Sequence, residues 1–470
     1  MEQEYELKDE AEREPEESGE FKEGKNRGLL RMAAPIFVEF LLFMLLGVAD
    51  IFMLSQFDDR AAGAVGASNQ IIGNLNIIFV IISAGTAVLV AQNVGAGNKE
   101  EVERVCSVSL LVNLIIGLVV SAVMLGWGKP ILERMGVTPD LMQYASEYIM
   151  IVGGFLFFQS ILNTLTAIIR SHGFTTLSML ITVAMNIMNI IGDYILIFGA
   201  FGAPQMGAKG VAIATTISRI CATFVALAFV HKKLVPMEMY SHLWDKPKVV
   251  FRKLFKIGFP AAMENLSYHL SQTALMSIIL LNLGEEPYIA RTYIWTIIWF
   301  AMLFALAIGQ ANQIMIGHLT GAGKVDEAYN TGLRNLKIAM LFSVIGGVVL
   351  FFFGDLFMGI YTDNQEIIAL GAAALTVDAF LEPGRAFNIV LINGLRGAGD
   401  VIFPVIMALL SMWSIGVLGG YMIGVVLGYG LAGIWVGLLC DEWLRGICML
   451  FRWRSRKWED KVMVEKERAA

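Results

Sequence analysis

Twelve apolar runs follow one another between residues 31 and 451, and they decide most of what this chain can become. About 20 apolar residues in a helix, rising ~1.5 Å each, cross the hydrocarbon core of a bilayer. Read against Gly, Pro and charge breaks, six spans fall at 31–56, 64–91, 105–127, 142–169, 174–199 and 207–230. Six more fall at 254–282, 288–316, 333–354, 366–394, 401–427 and 430–451. Only 16% of the 470 residues are charged, against about 25% in soluble domains. The expectation is an all-α polytopic membrane protein.

The first 28 residues stand apart, with 11 acidic and 5 basic side chains and almost no apolar content. They read as a solvated acidic tail, without the basic and apolar regions of a cleavable signal peptide. Cys106, Cys221, Cys440 and Cys448 lie scattered in apolar segments with no CxxC spacing, so they read as small core residues. Lys and Arg set the orientation. One set of connections carries fourteen, seven of them between residues 231 and 256, and the opposite set carries five: Arg60, Lys129, Arg134, Lys209 and Arg291. The richer side, with both termini, is expected to be cytoplasmic.

The two halves repeat. "QNVGAGNKEEV" (92–102) matches "HLTGAGKVDEA" (318–328) and "IRSHGFT" (169–175) matches "LRGAGDV" (395–401), both at an offset of 226. Pro35 and Glu39 correspond to Pro260 and Glu264 at 225, and "GAKGVAIAT" (207–215) echoes "GLAGIWVGL" (430–438) at 223. Six spans per half means that both halves enter the membrane in the same sense. They are expected to form two six-helix lobes related by a pseudo-two-fold axis along the membrane normal, around a central cavity. The organisation read is an acidic tail (1–28), an N-terminal lobe (29–230), a cytoplasmic linker (231–253), a C-terminal lobe (254–452) and a cytoplasmic tail (453–470).

Charges inside the spans point to function, because each costs at least about 2.5–3.5 kcal/mol at the bilayer centre. Asp50 and Asp193 each lie about 19 residues into an outward-running span, and Thr215 about eight residues into an inward-running one, so all three reach similar depth. Thr182, Asn186, Asn189 and Asp193 follow each other at spacings of 4, 3 and 4, one stripe of a helix. Asp50, Asn189, Asp193 and Thr215 are therefore expected to converge. Their donors are all hard oxygens, suited to Na⁺ or a shared proton rather than a transition metal. The blander reading, in which each aspartate merely bonds a neighbouring helix, loses ground to Asn189 at i−4 and a second Asp at equal depth.

In the second half, Glu264 duplicates Glu39, and "TVDAFLEPGRAFN" carries Asp378, Glu382 and Arg385 around Pro383, which is expected to break or bend its helix. Arg385 reads as the partner of Glu382 or Asp378. A structural ion pair and a substrate-facing acid both fit, so Glu264, Asp378, Glu382 and Arg385 stand as substrate-cavity candidates. Glu39 and Asp441 read as carboxylates near span ends, within reach of water.

"GVADIFMLS", the "VGAGN" and "TGAGK" loop pair, "NGLRGAGD", and Asn189-x-x-x-Asp193 followed by "GVAIAT" together resemble the multidrug and toxic compound extrusion family over residues 28–455. The resemblance implies a twelve-helix antiporter that expels cationic, amphipathic organic compounds in exchange for Na⁺ or H⁺. It implies a first-lobe cation site at Asp50, Asn189, Asp193 and Thr215, with Asn163 as a further polar residue, and Na⁺ held by Asp50 and Asp193 if sodium is the coupling ion. It implies no cofactor beyond that ion, no nucleic-acid partner and a monomer in the cell membrane. One departure stands out: where some branches carry a coupling Asp about ten residues before "LRG", this chain has Arg385.

Three other readings compete. A lipid-linked oligosaccharide flippase of the same superfamily would carry a strongly basic cavity, whereas the charges read inside the spans are mostly acidic. An exporter of a specific metabolite or anionic cofactor would use Arg385 as its attraction. A membrane-embedded enzyme finds no support, with no HExxH or Gly-x-Ser-x-Gly motif and only an isolated "FDD" at 57–59.

Overall fold

A backbone that crosses lipid must satisfy its own hydrogen bonds, and every apolar run is helical. The computed structural model describes residues 25–464. Most of the acidic tail lies outside them. The N-terminal lobe comprises α1 (Lys25–Ser55), α2 (Asp59–Gly95), α3 (Lys99–Arg134), α4 (Pro139–Gly154), α5 (Leu156–Ser171), α6 (Thr175–Phe198) and α7 (Ala208–Phe229). The C-terminal lobe comprises α8 (Pro247–Asn282), α9 (Glu285–Gly321), α10 (Val325–Gly359), α11 (Gln365–Gly397), α12 (Ile402–Val426) and α13 (Gly430–Arg454). Helices α4 and α5 are one span bent by 48° at Phe155, so each lobe crosses six times.

Nine of these helices, and the bent pair as a tenth span, are long and apolar enough to cross a membrane. The other two, α8 and α13, are 36 and 25 residues long but diluted by charge. Pro383 does not break its helix: α11 runs through it for 33 residues. Instead α12 carries two π-helical stretches, Met412–Val417 and Met422–Val426. Asp58 of "FDD" caps α2, its carboxylate accepting from Arg60 N (2.8 Å) and the Tyr144 hydroxyl (3.1 Å).

The duplication extends to individual backbone hydrogen bonds. Ala96, Gly97 and Asn98 donate to Gln92, Val94 and Asn93, and 226 residues later Ala322, Gly323 and Lys324 donate to His318, Thr320 and Leu319. Gly97 and Gly323 hold φ of 71° and 73°, a left-handed turn that glycine adopts without a Cβ clash. The "HGF" and "GAGD" turns match in the same way, with Gly173 and Gly399 at φ 90° and 91°.

The lobes join at the end where α1 begins and α13 ends, here called proximal. One buried cluster mixes Leu29, Met32, Ala33 and Ile36 of α1 with Ala305, Ile308 and Ala311 of α9. A second mixes Val88 and Leu89 of α2 with Leu254 and Ile257 of α8. Toward the distal end, the clusters around Tyr148 and around Trp435 each belong to a single lobe. The lobes therefore meet proximally and part distally. Gly258 makes the junction close: a Cβ there would run into the Ile81 carbonyl, and small residues are what let helix backbones approach this far.

The described residues after α13, 455–464 of the stretch read as a cytoplasmic tail, lie across the same junction. Trp458 is buried and stacked on Trp453 at 4.5 Å. Met463 N donates to Gln92 Oε1 (2.8 Å), and Gln92 Nε2 donates to Gly397 O (2.8 Å), so one glutamine joins both lobes and the tail. The linker is shorter than read, because α8 already begins at Pro247.

Gly258→Ala is expected to lower stability by about 1–3 kcal/mol, the range for overpacking. Gly63→Ala, which has nothing within 4 Å of the added methyl, is expected to leave it unchanged. Thermal unfolding of the two purified variants checks the difference.

Candidate functional site

The polar stripe of α6 faces α1, and the two helices pack along it. From the proximal end, Ser178 Oγ donates to Glu39 Oε2 (3.1 Å) and Asn186 Nδ2 donates to Leu42 O (3.1 Å). At its distal end the stripe meets Asp50. Asp50, Asn189, Asp193 and Thr215 are 5%, 1%, 0% and 5% exposed and come from α1, α6 and α7. With the Asn189 amide oriented to satisfy both ends, Nδ2 donates to Asp50 Oδ1 (3.1 Å) and Oδ1 accepts from the Thr215 hydroxyl (3.2 Å).

The carboxyl groups of Asp50 and Asp193 are near neighbours, close enough to act on each other electrostatically. Neither oxygen of Asp193 has a donor among the described residues, and both are sealed from solvent. A buried carboxylate without a donor is costly. Asp193 facing Asp50 fits a shared proton, or a small hard cation taking oxygens from both acids and from the Asn189–Thr215 pair.

Asn163, the fifth residue of the expected site, does not join it. Its Nδ2 donates to Asn76 Oδ1 (2.8 Å) and its Oδ1 accepts from Gln159 Nε2 (2.7 Å), a separate polar chain between α2 and α5. Arg219 was missed. It sits one turn beyond Thr215 on α7, near Asp50 and the Tyr148 hydroxyl, and its guanidinium makes no ion pair or hydrogen bond among the described residues, while its carbonyl accepts from Thr223 Oγ1 (2.7 Å). An arginine amid "TTISRICATF" was the available signal.

In the C-terminal lobe the candidates separate into ion pairs. Glu264 Oε2 accepts from Arg396 Nη2 (2.5 Å), tying α8 to α11. Glu39 and Arg170 make the equivalent pair between α1 and α5 (3.3 Å), at the offsets of 225 and 226 already seen. A contact built twice is a fastening of the fold, and Glu264 is one half of it. Asp378 and Glu382 are buried, 0% and 1% exposed, and tied to Arg385. Arg385 Nη1 pairs with Glu382, Nη2 lies 3.6 Å from Asp378 Oδ1, and Trp435 Nε1 also donates to Asp378 (3.1 Å).

A second group that sequence reading did not assemble lies on α13. Arg445 bonds Asp441 twice (3.1 and 2.7 Å) and Glu442 once (2.8 Å). Ser411 donates to Asp441 (2.5 Å) and Asn388 to Glu442 (2.8 Å). Asp441 is 2% exposed and does not reach water as read; the apolar run hid an arginine that neutralises it. Arg291, counted as a loop charge, is also buried, because α9 starts at Glu285. Arginines 219, 291 and 445 thus join Arg385 inside the spans, and the interior is less one-sidedly acidic than the sequence reading has it.

A twelve-crossing, two-lobed bundle with an unpaired acid pair inside one lobe defines a membrane transporter. The family model described as MatE matches residues 35–195 and 260–422, and the chain belongs to that multidrug and toxic compound extrusion family. It is 40% identical over 439 residues to "Uncharacterized transporter YisQ" of Bacillus subtilis, covering 93% of this chain and 96% of that one. It is 27% identical over 454 residues to "Probable multidrug resistance protein NorM" of Thermotoga maritima, covering 94% of each. Among solved structures, one described as the outward-facing conformation of a multidrug resistance MATE family transporter of the MOP superfamily superposes with a TM-score of 0.84 at 20% identity, over 95% of this chain and 100% of the other.

Arg385→Ala is expected to strand two buried carboxylates at a cost of about 3–5 kcal/mol. Adding Asp378→Asn and Glu382→Gln is expected to restore folding, read as monodisperse protein by size-exclusion chromatography. Asp193→Asn is expected to raise the thermal midpoint by several degrees in cation-poor buffer, since it removes the charge that has no donor.

Proposed function

We propose that this protein is a secondary antiporter that exports organic, mainly cationic and amphipathic compounds in exchange for Na⁺ or H⁺ by alternating access. The observation that carries the reading is the Asp50–Asp193 pair, with both Asp193 oxygens buried and without a donor. The excess of Lys and Arg places the proximal end in the cytoplasm, so the parted end of the bundle opens outward.

An external cation enters that opening, neutralises the two acids and is held by Asn189 and Thr215. Neutralisation changes how α1, α6 and α7 pack, because two like charges in one niche repel until a positive charge comes between them. The coupling needs only that cation and organic substrate each bind the inward- and outward-open forms unequally. Export of a metabolite or anionic cofactor through attraction to Arg385 gains no support, since that guanidinium is already held by Asp378 and Glu382.

In proteoliposomes, Asp50→Asn and Asp193→Asn are each expected to cut dye efflux driven by a Na⁺ or pH jump at least tenfold. Asn163→Ala should stay near the unmodified rate. Unmodified rates in both aspartate variants would remove the reading.

A further inference from the structure

The proximal end of α8 carries two stripes side by side. Phe251, Phe255 and Phe259 follow at intervals of four, all exposed, with rings stacked at 5.8 and 4.8 Å between centroids. Lys248, Arg252 and Lys256 follow at the same interval on the neighbouring face and are exposed too. Residues four apart lie one above another on a helix, so an aromatic stripe and a basic stripe run in parallel. Helix length sets their depth. At 36 residues α8 is about 54 Å long at 1.5 Å per residue, against about 30 Å of hydrocarbon. From Ile257 to Asn282 the one acidic or basic side chain besides His269 is Glu264, which is paired with Arg396. That stretch fills the hydrocarbon and leaves Lys248–Lys256 at the level of the proximal headgroups.

The linker before α8 adds to both stripes. Lys232, Lys233 and Lys246 are exposed, and none of these six cationic side chains makes an ion pair or hydrogen bond among the described residues. The neighbouring acids are mostly engaged elsewhere: Glu101 meets Arg104 and Lys253, and Glu103 and Asp245 face His242. The 3₁₀ turn Met237–Trp244 is seated by Met239, which is buried in the cluster that holds Val88 and Leu254. Its apolar tips stay outside, Met237 at 68% and Trp244 at 83% exposed. Tryptophan gathers at membrane–water interfaces, where one side of the ring is apolar and the other wet.

We propose that this face is a docking surface for anionic phospholipid of the adjoining leaflet. Lipid phosphates meet Lys248, Arg252 and Lys256, and the upper acyl chains lie against Phe251, Phe255 and Trp244. A juxtamembrane cluster of about four to eight basic residues draws anionic lipid electrostatically. The aromatic stripe selects the occupant further, because anionic lipid presents charge and apolar matter side by side. The chain's own acidic residues 1–28 match the charge but bring almost no apolar side chains. Lipid bound here sits on the helix whose Leu254, Ile257 and Gly258 seat the N-terminal lobe. The proposal goes beyond the antiport reading and does not use the Asp50–Asp193 pair.

The probes are brominated phosphatidylglycerol and brominated phosphatidylcholine, titrated into full-length protein in detergent micelles. Quenching of Trp244 is read as the difference between each protein and its Trp244→Phe counterpart. Half-quenching is expected at a phosphatidylglycerol fraction roughly threefold below that for phosphatidylcholine, with the gap narrowing as salt rises. Changing Lys248, Arg252 and Lys256 together to Gln is expected to remove the preference while phosphatidylcholine quenches as before. Lys248→Arg with Lys256→Arg is expected to keep it, which guards against a variant that simply misfolds. Asp193→Asn is expected to keep it even where dye efflux is lost, so the two readings fail separately. Equal quenching by both lipids, or a preference that survives the triple change to Gln, would overturn the assignment. So would a preference that emerges only after residues 2–24 are deleted, the mark of the acidic tail as occupant.

Discussion

A charge inside a bilayer has no water to turn to, so each one in this fold is either neutralised by a neighbour or left as a point where something else must neutralise it. Most are neutralised, and across helices. Glu39–Arg170 and Glu264–Arg396 fasten the first crossing of each lobe to the fourth. Asp378 and Glu382 share Arg385, and Asp441 and Glu442 share Arg445. Against that background the exceptions are few. Among the described residues, Asp193 faces Asp50 with no donor to either oxygen, the Arg219 guanidinium beside Asp50 has no ion pair, and Arg291 in the other lobe meets Gln272 and the Trp295 ring but no carboxylate.

Duplication supplied two copies of one scaffold, and the side chains inside them diverged in chemistry while the backbone stayed in register. The turns at Gly97 and Gly323 agree to 2° in φ, yet Asp50 of the first lobe is Leu275 in the second. The fourth crossing is broken at Phe155 in one lobe and continuous through Pro383 in the other. Local hydrogen bonds and close glycine contacts tolerate no change, whereas side chains that line a cavity touch little and are free to differ.

The junction between lobes follows the same logic. Backbone-close packing at Gly258 and the Gln92 bonds to Gly397 and Met463 hold the proximal ends together. The distal ends have only their own cores. A rocking motion of one lobe against the other therefore has to shift the packing of α1 and α2 on α8 and α9, and the docked segment around Trp458 with it.

The spans, their duplication and the meeting of Asp50, Asn189, Asp193 and Thr215 were all readable from residue order, because length, offset, helical period and depth are properties of single segments. Helix rotation about its own axis is not such a property. It turned Asn163 toward Asn76 instead of the aspartates, set Arg445 between two acids that looked like loose ends, and drew Arg219 and Arg291 inside. Which buried charge finds a partner depends on which faces of separate helices are pressed together, and only packing in three dimensions settles that.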